Sequence, residues 1–263
     1  MIKDHDIQET IEHENQFWSR VFKEELEKEK TNKEYFSSYW WELYYDEITN
    51  YVQSRLAKYS NPNILEAGSG SGKASILLGK ECNRTLLDIS DIALEYAQHL
   101  VKKFQVQNVA IKQGDIFSIP FDSKSFDFTW SLGVIEHYDA SQVISIFREM
   151  IRVTSEHGQV ATGVPNFKSI QIIKASLLRN RCLKWVPGYR LESEQDYKEK
   201  EIISLIKKAA KEENREVEEI EVRYFGSPLP METPRWIVSV FGELIEAIFP
   251  KRKFLIFVVC VVK

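Results

Sequence analysis

At 263 residues the chain is long enough for one large domain, or one domain with a cap, and for a sizeable buried core. With 43% hydrophobic and 28% charged residues it reads as a soluble globular protein, and its formal net charge of −4 argues against a general binder of phosphate backbones. Cys82, Cys182 and Cys260 are too few and too scattered for a disulfide framework or a zinc site, so a reducing, cytoplasmic setting is expected.

The first ten residues, MIKDHDIQET, are polar and lack the apolar centre of a signal peptide. Residues 1–60 hold no glycine or proline. Phe17, Trp18, Val21, Phe22 and Leu26 recur at helical spacing, and a second pattern runs from Tyr35 through Trp40 and Tyr44 to Val52. This predicts an N-terminal helical cap that the turn Asn61-Pro62-Asn63 closes. Residues 61–263 are expected to form the main domain.

From Asn63 onward short apolar runs alternate with helical patterns. Strands are expected at 63–67, 84–89, 109–112, 126–130 and 159–164, with helices from the glycines to about Lys80, at 92–104 and at 140–153. Ser90 is a suitable N-cap for the second of these helices. A charged helix around 202–210 and strands at 217–224 and 254–262 complete the chain. The last run is too short to cross a membrane and is rich in β-branched residues, so a buried strand is expected. The alternation implies an α/β fold, a doubly wound and mostly parallel sheet with ligands at the carboxyl ends of its strands. Two stretches interrupt it, at about 167–193 and 226–253.

The turn after the first strand, in ILEAGSGSGKAS, discriminates between ligands. A P-loop fails twice, because Ala67 replaces its first glycine and Ala74 its magnesium-binding hydroxyl. A dinucleotide fingerprint fails once, because Lys73 stands in its third glycine position. An acid two residues ahead of G-x-G-x-G remains: Glu66, Gly68, Gly70 and Gly72. At the next strand end, about twenty residues on, Asp88 is placed to accept from two ribose hydroxyls, as in dinucleotide folds. Asp115, in QGDIFSIPF, is placed to accept from an adenine amine, with Ile89 and Ile116 on either side of the ring. Lys73 reads as a solvated lysine, and Cys82 as a small buried residue.

ILEAGSGSG, LLDISDIALEYA, QGDIFSIPF with FDFTWSLGVIEH, and GQVATGVPN together resemble the class I S-adenosylmethionine (SAM) methyltransferases. The small-molecule branch related to the ubiquinone and menaquinone enzymes is the most similar. The resemblance spans about Asn63 to Asn166 and implies a seven-stranded Rossmann-like sheet whose last strand is antiparallel. It also implies SAM as cofactor, bound by Glu66, Gly68, Ser69, Gly70, Asp88, Ile89, Asp115 and Ile116, with Ser131 and Leu132 bordering its methionine part.

Methyl transfer from a sulfonium needs positioning first and a base only when the acceptor must lose a proton. His137, after Glu136, is the candidate base; shaping the pocket is the alternative role. The E-x-x-E-H metal pattern of some relatives is broken by Gly133, and the D/N/S-P-P-Y/F motif of nucleic-acid amino methylation is absent, so neither a metal nor a nucleic-acid partner is expected. Tyr39, Trp40, Trp185, Tyr189, Arg190 and Trp236 are candidates for a substrate lid. Arg179, Arg181, Lys184 and Arg190 suit an acidic or phosphorylated acceptor, or form a solvated face. The expected activity is methylation of a small molecule. RNA or protein methylation, or a SAM-binding module without catalysis, are the alternatives. Oligomeric state is left open.

Overall fold

The computed structural model describes residues 4–31, 39–79, 82–179, 185, 190–191 and 193–263. Two helices, α1 (Asp4–Thr31) and α2 (Tyr39–Leu56), precede the sheet. Then follow β1 (Asn63–Ala67), α3 (Lys73–Leu77), β2 (Asn83–Asp88), α4 (Asp91–Phe104), β3 (Val109–Gln113) and β4 (Phe126–Leu132). After them come α5 (Ala140–Val153), β5 (Thr154–Pro165), α6 (Ile170–Leu178), α7 (Glu199–Glu212), β6 (Val217–Phe225), α8 (Arg235–Ile248) and β7 (Leu255–Val262).

The seven strands lie in the order β3-β2-β1-β4-β5-β7-β6, and β7 alone runs against its neighbours. The chain winds outward from β1 through β2 to β3, then returns to β4 on the other side of β1. Strand order therefore reverses between β1 and β4, and a crevice opens beyond their carboxyl ends.

Alternate residues of each strand face opposite layers. Leu65, Val160 and Val258 join α5 and α7 in one core, whereas Ile64, Phe128, Trp130 and Phe257 pack against α2 on the other side. The helix α2 is thus a layer of the sandwich, carrying Trp40, Tyr44, Ile48 and Val52 into the sheet. The helix α1 reaches further along the same side. Its Leu26 packs with Ile76, Leu86, Tyr96 and Leu100.

Local chemistry sets the boundaries. Ser90 accepts from the Ala93 N–H to start α4, and Asp139 forms a capping box with Gln142 at α5. The strand β5 extends beyond its apolar run at both ends, where Thr154 pairs with Phe126 of β4 and Pro165 pairs with Leu255 of β7. The helix α3 is shorter than expected. Leu78 leaves helical geometry, and the Arg84 guanidinium takes the carbonyls of Ser75, Leu78 and Gly79.

Candidate active site

A cavity of about 430 Å³ opens at the strand-order reversal. Its floor is the glycine turn, in which Gly68, Gly70 and Gly72 all take left-handed backbone angles, with φ of 68°, 52° and 63°. The Ser69 N–H donates to the Leu87 carbonyl at 2.9 Å, and Gly70 donates to Asp88 Oδ2 at 2.7 Å. Asp88 Oδ1 accepts from the Ser90 N–H at 2.9 Å. Burial raises the Asp88 pKa while these backbone donors hold it down. An ionised carboxylate has further lone pairs, so its acceptor capacity is not exhausted.

Glu66 is buried under the turn and accepts from the Ser75 N–H at 3.3 Å. Burial pushes its pKa up to about 7; the Ser75 hydrogen bonds oppose the rise and the Asp88 charge adds to it. On the β3 side, Asp115 accepts from the Phe117 N–H at 2.8 Å, and Ile116 is buried beside it. Ile89 and Gly114 complete that wall.

Helices α1 and α2 supply the roof. A Cβ placed on Gly70 would lie 2.6 Å from Phe22 Cζ, so α1 rests directly on the turn. Trp18 meets the His137 ring edge-on at 5.4 Å. Trp41, Tyr44 and Tyr45 face the cavity from α2, with Phe254 opposite, and Tyr44 and Phe254 lie 5.8 Å apart.

The 3-10 turn Ile135–His137 carries two further ionisable groups, Glu136 and His137. His137 Nδ1 lies 2.7 Å from Ser193 Oγ and 3.6 Å from Glu14 Oε2. Burial lowers its pKa, against the pull of Glu14 and Glu194. Glu136 is 2% exposed, and its Oε2 finds no hydrogen-bond partner among the described residues. Burial pushes its pKa up to about 8, with Glu194 and Glu14 adding to the rise.

Residues 64–158 match the model of a methyltransferase domain family. That segment is therefore similar to a methyltransferase domain. A demethylmenaquinone methyltransferase of Listeria welshimeri is 34% identical over 112 residues, which is 40% of this chain and 46% of the relative. The chain thus spans less than half the length of the curated relatives it matches. Among solved structures, the protein described as the methyltransferase partner of the Trm112 activator in a Haloferax volcanii complex aligns with a TM-score of 0.58. It is 15% identical and covers 95% of this chain and 96% of its own. Magnesium protoporphyrin IX methyltransferase from Synechocystis, with bound S-adenosylhomocysteine (SAH), aligns with a TM-score of 0.53 at 13% identity over 82% of each chain. These two likenesses concern the fold.

The cavity brings together most of the residues expected for the cofactor. Glu66, Gly68, Ser69, Gly70, Asp88, Ile89, Asp115, Ile116 and Leu132 all border the cavity, as does His137. Ser131 does not. It is wholly buried on the side of the sheet that faces α5 and α7, beside Thr162 across the β4–β5 ladder.

The lid expectation fares differently. Trp40 is buried in the sheet core and donates to the Leu229 carbonyl at 2.9 Å, while Tyr39 lies under the Arg235 guanidinium at 5.0 Å. Trp185 and Trp236 are 81% and 64% exposed and stand away from the cavity wall. Arg190 donates to the Leu178 carbonyl at 3.1 Å, tying its own segment together. Tyr189, Arg181, Lys184 and Cys182 lie outside the described residues. Lys73 is not solvated. It is buried beneath α1, 4.2 Å from the centre of the Tyr45 ring, and burial lowers its pKa to about 7 against Glu29 and Glu25.

Trp18, Phe22, Trp41 and Tyr45 were not singled out by sequence as cavity residues. For the last two a signal existed: they sit one position beyond the core pair Trp40 and Tyr44, on the neighbouring stripe of the helix.

Proposed function

We propose that this chain is a SAM-dependent methyltransferase acting on a small, largely apolar acceptor. The observation that carries the reading is the convergence of the glycine turn, Asp88 and Asp115 on one cavity at the strand-order reversal. The residues fit the cofactor. Ser69 Oγ and Glu136 Oε2 are buried there without partners among the described residues, and the carboxylates Glu66, Asp88 and Asp115 outnumber Lys73 along the floor, which suits a sulfonium better than a phosphate.

Asp88 would hold the ribose hydroxyls, Asp115 with Ile89 and Ile116 the adenine, and the main chain of Gly68 to Gly70 the methionine part. When bound, SAM would supply an activated methyl group that the acceptor's nucleophile takes in line, the sulfonium sulfur leaving as the thioether of SAH. The chain's own contribution is to orient the acceptor and exclude water with Trp18, Phe22, Trp41, Tyr45 and Phe254. His137 is held through Nδ1, and its depressed pKa keeps the ring neutral near pH 7. It would therefore receive a proton through its other nitrogen.

Two features favour an apolar acceptor over the acidic or phosphorylated one that the basic 179–190 stretch suggested. The roof is aromatic, and Glu14, Glu25 and Glu194 border the cavity against Lys73. An anion entering there would meet like charge. The demethylmenaquinone methyltransferase relatives agree with an apolar ring as acceptor. Incubating the protein with methyl-labelled SAM and a cell extract tests this reading. Label recovered in a low-mass, solvent-extractable product supports it, and label found only in RNA or protein contradicts it.

A further inference from the structure

Among the described residues, every exposed large hydrophobic side chain except Phe104 lies between Ile170 and Phe249, within the two stretches that interrupt the α/β alternation. On α8, Trp236, Val240, Leu244 and Ile248 recur four residues apart. They are 64%, 64%, 58% and 58% exposed, with Phe241 beside them at 44%. At 100° per residue these five form one continuous face. Val238, 4% exposed, points to a different side and is the part of α8 that the fold covers. The helix therefore carries an apolar face that the described residues leave unpacked. The neighbouring α6 adds Ile170, Ile173 and Leu177, exposed at positions i, i+3 and i+7. The two elements are joined: Gln171 accepts from the Met231 N–H at 3.0 Å, Lys174 pairs with Glu232 at 2.5 Å, and Asn166 donates to the carbonyls of Lys251 and Lys253.

Charge identifies the occupant. The chain has a net charge of −4 and α8 itself carries Glu243 and Glu246, yet α8 opens with exposed Arg235 and is followed by exposed Lys251 and Arg252 and then Lys253, so cations outnumber acids over 235–253. An amphipathic helix with tryptophan, phenylalanine and leucine on one face and cations at its ends matches the interface of an anionic bilayer. No helix among the described residues is long and apolar enough to cross a membrane, so the contact is along the surface. We propose that α8, together with the exposed face of α6, docks on the surface of an anionic lipid bilayer. Met231 and Phe254, which bracket α8 in sequence, both line the cavity, so docking would place the cavity beside the lipid. Docking does not depend on methyl transfer, and the two can fail separately.

The test is sedimentation of the full chain with vesicles of phosphatidylcholine alone or of phosphatidylcholine mixed with phosphatidylglycerol. Binding to the mixed vesicles, weakened by added salt, is expected. The Trp236→Ser/Leu244→Ser variant should lose affinity for them by about tenfold or more, because two anchors leave the apolar face. Its melting temperature and SAH affinity should not change, since both side chains are exposed. Lys251→Ser/Arg252→Ser should lower binding to mixed vesicles only. Failure to bind either vesicle, or equal binding by the Trp236/Leu244 variant, overturns the proposal. So does light scattering that shows a dimer for the wild type and a monomer for that variant, which would make a second copy the occupant.

Discussion

Asp88 Oδ2 accepts the Gly70 N–H at 2.7 Å while its Oδ1 accepts the Ser90 N–H at 2.9 Å. One carboxylate thus joins the end of β2, the glycine turn after β1 and the start of α4. A residue expected to hold a ribose also builds the turn against which that ribose would lie. Asp88→Asn keeps the size but puts a donor where one of two acceptors is needed. It should cost about 1–3 kcal/mol in urea unfolding and weaken SAH binding by about tenfold or more. A variant with unchanged stability and affinity would remove Asp88 from both roles.

Gly70 is constrained twice, by its φ of 52° and by Phe22 Cζ at 2.6 Å from any added Cβ. Gly70→Ala should cost about 1–2 kcal/mol from backbone strain alone, and more from the contact with α1. A double-mutant cycle separates the two costs. In a Phe22→Ala background the steric part should vanish and the strain part remain. Equal costs in both backgrounds would mean that α1 does not rest on the turn.

The floor of the site was legible in the sequence because its residues sit at strand ends with fixed spacing. Glu66, Asp88 and Asp115 need only the alternation of strands and helices to be brought together. The roof was not legible. Trp18 reaches His137, and Phe22 reaches Gly70, only because α1 packs across α4, and nothing local to either residue encodes that path. The same packing turns Lys73 from a solvated lysine into a buried one. Trp40 shares its aromatic character with Trp41, but its place on the helix directs it into the sheet core while Trp41 takes the cavity side.

Glu136 should leave a signature in the pH dependence of stability. Its folded pKa, about 8, lies above the ordinary 4.5, so the folded state binds the extra proton. Its contribution is fully present below pH 4.5 and is lost as pH rises towards about 8. Glu136→Gln lacks that loss. Relative to the wild type, the variant should gain stability as pH rises across this window, by at most about 1.4 kcal/mol per pH unit. Comparing the two proteins cancels the opposing titrations of Lys73 and His137. Parallel curves would show that Glu136 is not a buried protonated acid.

His137→Ala should lower the rate of methyl transfer to the acceptor found by label transfer, by about a hundredfold or more if a proton is removed during the step. SAH affinity should stay the same. Retained turnover would assign His137 to packing against Trp18 and leave catalysis to positioning.

Calorimetric titration of the full chain with SAH decides whether the cavity is a SAM site. Saturable binding at one site per chain is expected, matched by SAM and weakened by Asp88→Asn. An absence of binding by both SAM and SAH, in protein that melts cooperatively, would contradict that assignment.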